Sequence, residues 1–148
     1  VVLFGRPQKV EATGVVLSSG ADGQGAVNFV YEGMNATILY SKIANSYLPT
    51  EIQGEEGNIN LDRINIIGKV TYTPRIPAGA GKTAVSEPID ISAVADKNEY
   101  YYEVAEFMDL IQAGKRESSI NSHDNSLITL EIIDEIRRQL GIVYPADK

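Results

Sequence analysis

The chain has 148 residues, of which 43% are hydrophobic and 22% are charged, and its formal net charge is −7. These values are ordinary for one globular domain that can bury a core, and they exclude a disordered or fibrous chain. The acidic excess argues against a nucleic-acid partner, because binding to a phosphate backbone needs a basic face.

The chain begins with VVLFGRP, which contains no initiator methionine and is typical of an apolar element running into a turn. We therefore expect residues 1–148 to be one domain and a fragment of a longer protein. No leader pattern opens the chain, and no run reaches the roughly 18 apolar residues of a membrane helix, so a membrane is not an expected partner. The absence of cysteine excludes disulfides and thiol chemistry and favours a cytoplasmic location.

Short strand-like segments, separated by turn signals, follow one another through the first 92 residues. They lie at 9–18, 27–31, 36–43, 46–54, 57–62, 64–73 and 87–92. The glycine-rich segment 19–25 between the first two is expected to be a loop. Because no helical pattern intervenes, these segments predict a mostly antiparallel sheet. Segments such as ATILY are apolar on both faces, so a second subunit or a further domain is expected to cover the sheet.

Two amphipathic helices are predicted after residue 97. A period of about 100° per residue groups the apolar side chains on one face of each helix. The first group is Tyr100, Val104, Phe107, Met108 and Ile111, and the second is Ile128, Ile132, Ile133, Ile136 and Leu140. Asn98 and Ser122 are the expected N-caps, and Gly114 and Gly141 are the expected C-terminal stops. The fold class is therefore α+β, an open, mostly antiparallel sheet with two C-terminal helices packed on one face and no Rossmann domain.

The segment PRIPAGAGKTAV (74–85) ends like a nucleotide-binding P-loop. The P-loop pattern requires a glycine five positions before Gly81, where this chain has Ile76. The pattern also requires a helix immediately afterwards, whereas AVSEPIDIS is strand-like and contains Pro88. We interpret the segment as an irregular excursion between strands with no assigned role, and a P-loop NTPase is the least favoured function.

Two other segments have weak functional signals. The cluster NSHDNS (121–126) contains His123 and Asp124, which could perform acid–base chemistry, but such residues also gather at helix starts for capping, which we favour. The glycines of GADGQG (20–25) do not match the dinucleotide fingerprint and indicate a hairpin. One histidine and no cysteine leave little for a metal site, and none is expected.

The C-terminal third resembles the closing segment of the Gfo/Idh/MocA oxidoreductases. The family's motifs are matched by Tyr101/Tyr102 through Phe107, by 114–118, by 126–141 and by Tyr144–Asp147. In the front half, LFGRPQKVEATG and EIQGEEGNINLD are similar to the family's entry into its C-terminal sheet and to its E-I-x-G-x-x-G hairpin. The resemblance therefore covers essentially the whole chain.

This resemblance implies a C-terminal substrate-binding and oligomerisation domain with a glyceraldehyde-3-phosphate dehydrogenase-like fold. Its parent protein would bind NAD or NADP in an N-terminal Rossmann domain, the chain's expected partner, and would transfer hydride to or from a sugar, polyol or diol. The exposed sheet face would form a homodimer or tetramer. The family's glycine fingerprint, its Glu-Lys-Pro motif and its catalytic G-G-x-x-x-D-x-G-x-H/Y element are all missing from this chain. No catalytic, cofactor-binding or metal-binding residue is therefore assigned, and the chain alone is predicted to be inactive.

The family's substrate pocket is lined partly near the approach to the first helix. On that ground Tyr100 and Tyr101 are the candidate substrate-pocket residues, although for Tyr100 we favour the alternative of core packing. The alternative function is a stand-alone, non-catalytic interaction or dimerisation module with the same fold. The gene sequence upstream of Val1 would discriminate between the two.

Overall fold

The computed structural model describes residues 1–80, 84–93 and 97–147. The strands are β1 Lys9–Val16, β2 Asp22–Tyr31, β3 Met34–Ser41, β4 Thr50–Gly54, β5 Gly57–Leu61, β6 Val70–Pro74 and β7 Ile89–Asp90. The helices are α1 Glu99–Gln112 and α2 His123–Leu140, followed by a 3-10 turn at Pro145–Asp147. Every strand pair in the described residues is antiparallel. The predicted α+β class is confirmed, with the strands divided between two open sheets in the orders β1-β2-β3 and β4-β5-β6-β7.

The chain divides into two compact units, each containing one of the sheets. The first unit is Val1–Ser46 together with Phe107–Lys148, and it contains the three-stranded sheet and α2. The second unit is Tyr47–Glu106, which contains the four-stranded sheet. The expectation of one domain over residues 1–148 stays a prediction.

In the first unit, α2 packs against β1. Of the five apolar residues predicted to share a face of α2, four are half-buried and Ile133 is exposed. The centre of the sheet is Val27, which is 3% exposed and lies opposite Ala12 on β1 and Ile38 on β3. Gly14 lets the helix approach, because a Cβ there would lie 3.3 Å from Leu140 Cδ2. The buried hydrophobic side chains of this unit, Val27 and Ile142, therefore lie on the central strand and directly after α2.

The predicted loop at 19–25 is wrong at its C-terminal end, because β2 already begins at Asp22. Gly23 and Gly25 lie inside the strand, where glycine normally weakens pairing. Here neighbouring side chains occupy the space that a Cβ would take, namely Leu17 at 2.7 Å from the Gly23 position and Tyr40 at 2.8 Å from the Gly25 position. The absence of a side chain at these two glycines therefore leaves room for Leu17 and Tyr40 to pack against the strand. Composition alone does not distinguish such glycines from those of a loop.

A second correction concerns the predicted strand at 64–73, which begins only at Val70. Asp62 holds the preceding residues in a closed loop, since its Oδ1 accepts from the amides of Arg63 at 2.8 Å and Gly68 at 3.0 Å. Hydrogen bonds from the backbone of Lys69 and Gly68 lower the pKa of the Asp62 carboxyl. The isoleucines at 64, 66 and 67 lie on this loop and are exposed. Their β-branched run indicated a strand, but the side chain of Asp62 satisfies the backbone locally instead.

The predicted helix boundaries are confirmed by their capping hydrogen bonds. Ser122 Oγ accepts from the amide of Asn125 at 3.1 Å, as expected of an N-cap. At the other end of α2, Gly141 has φ 68°, and its amide and that of Ile142 bond back to the carbonyls of Arg138 and Arg137. This is the Schellman arrangement, in which a left-handed glycine ends the helix and the following residue turns inward. Ile142 is accordingly only 6% exposed.

Candidate functional site

The two candidate residues, Tyr100 and Tyr101, lie in the first turn of α1. Asn98 begins the helix, because its side-chain Oδ1 accepts from the amide of Tyr101 at 3.0 Å. A side-chain acceptor at this position satisfies one of the amides that a helix start leaves without an intrahelical partner. The predicted cap at Asn98 is confirmed, and it holds the two tyrosines at the open end of the helix.

The structure brings Tyr101 together with two neighbours that form a small cation–aromatic cluster. The Tyr101 and Tyr102 rings are 5.5 Å apart and nearly perpendicular, at 88°. The Lys97 ammonium lies 5.8 Å from the centre of the Tyr101 ring, within the range of a cation–π contact. We call Lys97, Tyr101 and Tyr102 the α1 cluster. It combines an aromatic face, two phenolic hydroxyls and a cation. Such a cluster suits a ligand that has a ring to stack on the aromatic face and polar groups to bond to the hydroxyls and the cation.

Tyr100 does not join this cluster, and its side chain is 68% exposed. The core-packing alternative for Tyr100 is therefore not what the structure shows. The rest of the predicted apolar face of α1 is exposed too, since Val104, Phe107, Met108 and Ile111 are 58%, 60%, 48% and 57% exposed. The periodicity correctly grouped these residues, but it could not determine what covers them.

Sequence reasoning missed Lys97 as a neighbour of Tyr101. Lys97 and Tyr101 are four residues apart, and this spacing, which brings the long Lys97 side chain within reach of the Tyr101 ring, is the sequence signal for their contact. Lys97 precedes the N-cap Asn98, however, so the helical periodicity of α1 does not include it.

The P-loop-like residues Gly81, Lys82 and Thr83 lie outside the described residues. On either side of them, Pro74–Ile76 and Ala84–Ser86 line an open cavity of about 750 Å³ beside the β4–β5 hairpin. The Arg75 amide donates to Glu56 O at 2.9 Å and its Nη1 donates to Glu55 O at 3.2 Å, so this side of the cavity is tied to the hairpin turn. Residues 84–88 are irregular and lead into β7, where a phosphate-binding loop would require a helix.

The glycine segment 20–25 does not fit a dinucleotide either. It forms the end of the β1–β2 turn and the start of β2 in an antiparallel hairpin, whereas a dinucleotide cradle needs a strand, a glycine loop and a helix N-terminus. Neither glycine-rich segment of this chain therefore supplies, in its described residues, the geometry that NAD or NADP requires.

The capping interpretation of His123 and Asp124 is supported by the contacts at the start of α2. Glu117 Oε1 accepts from the backbone amide of His123 at 2.6 Å, and the imidazole itself is exposed, 3.8 Å from the same carboxylate. Within residues 1–80, 84–93 and 97–147, no three histidine or acidic side chains are grouped as a metal would need. In the same ranges, no helix has the length and apolarity to cross a bilayer.

No protein-family model matches the chain, but individual relatives do. It is 43% identical to scyllo-inositol 2-dehydrogenase (NADP(+)) IolU of Bacillus subtilis over 100% of its residues, and 35% identical to the uncharacterized oxidoreductase YgjR of Escherichia coli over 99%. It is 29% identical, over 96% of its residues, to trans-1,2-dihydrobenzene-1,2-diol dehydrogenase of Danio rerio. The chain spans 42% of the length of each of these relatives.

The described residues of this chain form antiparallel sheets and two helices, and 96–100% of the chain aligns with part of three oxidoreductases, so the chain is an α+β domain of that enzyme class. The chain belongs to the Gfo/Idh/MocA oxidoreductases and corresponds to the C-terminal domain of that family. The resemblance inferred from the helix and YPAD motifs is thereby confirmed.

Proposed function

We propose that the chain is the C-terminal substrate-binding and oligomerisation domain of an NAD(P)-dependent dehydrogenase that acts on a cyclic polyol or vicinal diol. The observation that carries the proposal is the alignment of 100% and 96% of the chain with 42% of two dehydrogenases. The names of those relatives specify scyllo-inositol and trans-1,2-dihydrobenzene-1,2-diol, which are both six-membered rings with adjacent hydroxyl groups. Hydride would pass between such a carbinol and a nicotinamide bound by the part of the protein outside this chain.

The division of labour within the parent protein is supported by what the chain's glycine segments form. One is a β-hairpin and the other leads into a short strand, so the cradle for the cofactor would come from an N-terminal Rossmann domain. The name of the Bacillus relative specifies NADP.

A homodimer or tetramer through the sheet face is part of the proposal. On β3, Ile38 and Leu39 point to opposite faces of the sheet and are 52% and 60% exposed. One helix can cover only one face of a sheet. A second copy on the other face would remove Leu39 from water, as an antiparallel sheet with two apolar faces requires.

The isolated chain is expected to show no turnover and no binding of NADP or NAD with micromolar affinity. The reason is that the dinucleotide-binding site is proposed to lie in another domain. The full-length parent protein, assayed with scyllo-inositol and with trans-1,2-dihydrobenzene-1,2-diol, is expected to reduce the cofactor. Titration calorimetry on both proteins and absorbance of the reduced nicotinamide are the measurements. Micromolar dinucleotide affinity in the isolated chain would contradict the proposal. A start codon adjacent to Val1 in the gene would favour the non-catalytic module instead.

We further propose that Tyr101 contributes a face of the substrate pocket in the full-length enzyme. Tyr101→Ala is expected to raise KM about 2- to 12-fold with a smaller change in kcat, since ring stacking is worth about 0.5–1.5 kcal/mol and acts equally on the ground state and the transition state of the bound substrate. Tyr101→Phe keeps the ring and isolates the hydroxyl, and Tyr100→Ala tests the second candidate. Tyr47→Ala, at a ring that is 95% exposed, is the matched control. Steady-state kinetics in which Tyr101→Ala and Tyr47→Ala have the same KM would rule out this role.

A further inference from the structure

Strand β1 is the outer strand of the sheet β1-β2-β3, so one side of its backbone has no strand neighbour within that sheet. Such an edge presents a row of amide and carbonyl groups that can template pairing with another chain. The carbonyl of Val10 and the amide of Ala12 belong to this outer row.

The side chain of Gln139, near the end of α2, occupies both groups at once. Its Oε1 accepts from the Ala12 amide at 2.7 Å, and its Nε2 donates to the Val10 carbonyl at 2.8 Å. A carbonyl at one residue and an amide two residues later are the groups that a single residue of a parallel neighbouring strand would bind. The carboxamide of Gln139 therefore makes the two hydrogen bonds that one residue of a neighbouring parallel strand would make with β1.

The orientation of this carboxamide is determined by its surroundings. The second hydrogen on Nε2 goes to Glu135 Oε1 at 2.7 Å, one turn earlier on α2. Glu135 is in turn held by Arg138, whose Nε and Nη2 donate to its two oxygens at 2.7 and 2.6 Å. A flipped amide would place Oε1 against the oxygens of both Val10 and Glu135.

Glu135 stays ionised over the ordinary pH range, which keeps it an acceptor for Gln139. The bond to Arg138, followed by the bond to Gln139, lowers the pKa of the Glu135 carboxyl to about 2. The i,i+3 pairs Glu135–Arg138 and Asp134–Arg137 form here, in place of the Asp134–Arg138 pair that spacing alone allows.

We propose that Gln139 closes the outer edge of β1 against the addition of a strand from a second copy of the chain. The sequence of β1, KVEATGVV, contains no proline and ends in Val15 and Val16, which are exposed, and its two charged side chains, Lys9 and Glu11, are paired with each other. The irregularity of β1 lies between Val15 and Val16, so the Val10 and Ala12 groups in the middle of the edge are protected by Gln139. This edge is distinct from the sheet face through which the parent protein is proposed to assemble, and the inference does not depend on the enzymatic function.

Gln139→Met tests the inference, because methionine keeps the length of the side chain and removes both hydrogen bonds. The Ala12 amide is expected to exchange with solvent about 5- to 10-fold faster than in the wild type, as the loss of one hydrogen bond of typical net strength predicts. Sedimentation velocity is expected to show assemblies above the wild-type state that grow with protein concentration. Hydrogen exchange followed by NMR measures the exchange rate of the Ala12 amide directly.

Two further variants keep the test decisive. Gln139→Glu loses the donor to the Val10 carbonyl and places a carboxylate oxygen against the oxygens of Val10 and Glu135, so its side chain is expected to leave the edge, to expose the Ala12 amide and to permit self-association. Glu131→Gln breaks the ion pair between α2 and Arg6, leaves the β1 edge untouched and is expected to sediment as the wild type. The proposal is overturned if Ala12 exchange in Gln139→Met equals that of the wild type, or if it rises while sedimentation of both Gln139 variants is unchanged. If Gln139→Met does not fold, as judged by circular dichroism, the sedimentation of Gln139→Glu decides.

Discussion

Gly57→Ala is expected to lower the free energy of unfolding of the unit Tyr47–Glu106 by about 3 kcal/mol or more. Gly57 opens β5 with φ 153°, a conformation that side chains rarely adopt. An added Cβ would lie 2.4 Å from the carbonyl oxygen of Thr73 and 3.0 Å from the Cα of Pro74. Both atoms belong to the backbone of β6, which pairs with β5 here, so relief requires the two strands to separate.

Urea unfolding followed by circular dichroism measures this effect. Gly33→Ala is the matched control, because Gly33 has φ 75° in a hairpin turn and a Cβ there would meet nothing within 4 Å. Gly33→Ala is therefore expected to lower the free energy of unfolding by about 1 kcal/mol, the cost of an alanine with positive φ, with no steric overlap of its Cβ. Equal losses of stability in the two variants would show that backbone overlap at Gly57 is relieved without cost.

Ile142→Ala is the second large effect, an expected loss of about 2–5 kcal/mol from the unit that contains α2. Ile142 is 6% exposed and follows the left-handed Gly141, and its amide donates to Arg137 O at 2.9 Å. The capping turn therefore aims this side chain into the interior, and alanine leaves a cavity there. Ile142→Val removes one methylene and is expected to cost about 0.5–1.5 kcal/mol.

The adjacent Val143 provides the control for this series. Val143 is 61% exposed, so Val143→Ala is expected to change stability by no more than about 0.5 kcal/mol. The measurement is thermal and urea unfolding of all three variants under identical conditions. A loss in Ile142→Ala no larger than that in Val143→Ala would contradict the assignment of Ile142 to the core.

Local chemistry made the helices and most strands predictable. Asn98, Ser122, Gly114 and Gly141 are residues whose side chain or lack of one determines a helix end, and their roles were predicted from sequence. The prediction failed where a residue's partner is distant in the chain. Gly23 and Gly25 lie in a strand where Leu17 and Tyr40 occupy the space of an added Cβ, and Ile64 lies in a loop in which the Asp62 side chain binds the Gly68 amide.

The candidate site follows the same division. The family resemblance directed attention to Tyr100 and Tyr101, but only the structure separates them, by placing Lys97 over the ring of Tyr101 and leaving Tyr100 exposed. Gln139 had no signal in the sequence beyond its position on α2. Its two bonds to β1 cross 127 and 129 residues of chain.

The sequence by itself determined the α+β class, the helix ends, the family and the failure of the P-loop pattern at Ile76. These depend on residue identity, short spacings and motif order, which are all local properties of a chain. Only the tertiary structure decided that the strands form two sheets, that glycines 23 and 25 lie inside one of them, and that the amide of Gln139 pairs with the edge of β1. Each of these depends on which distant groups meet, and burial and backbone hydrogen bonding determine that only once the chain has folded.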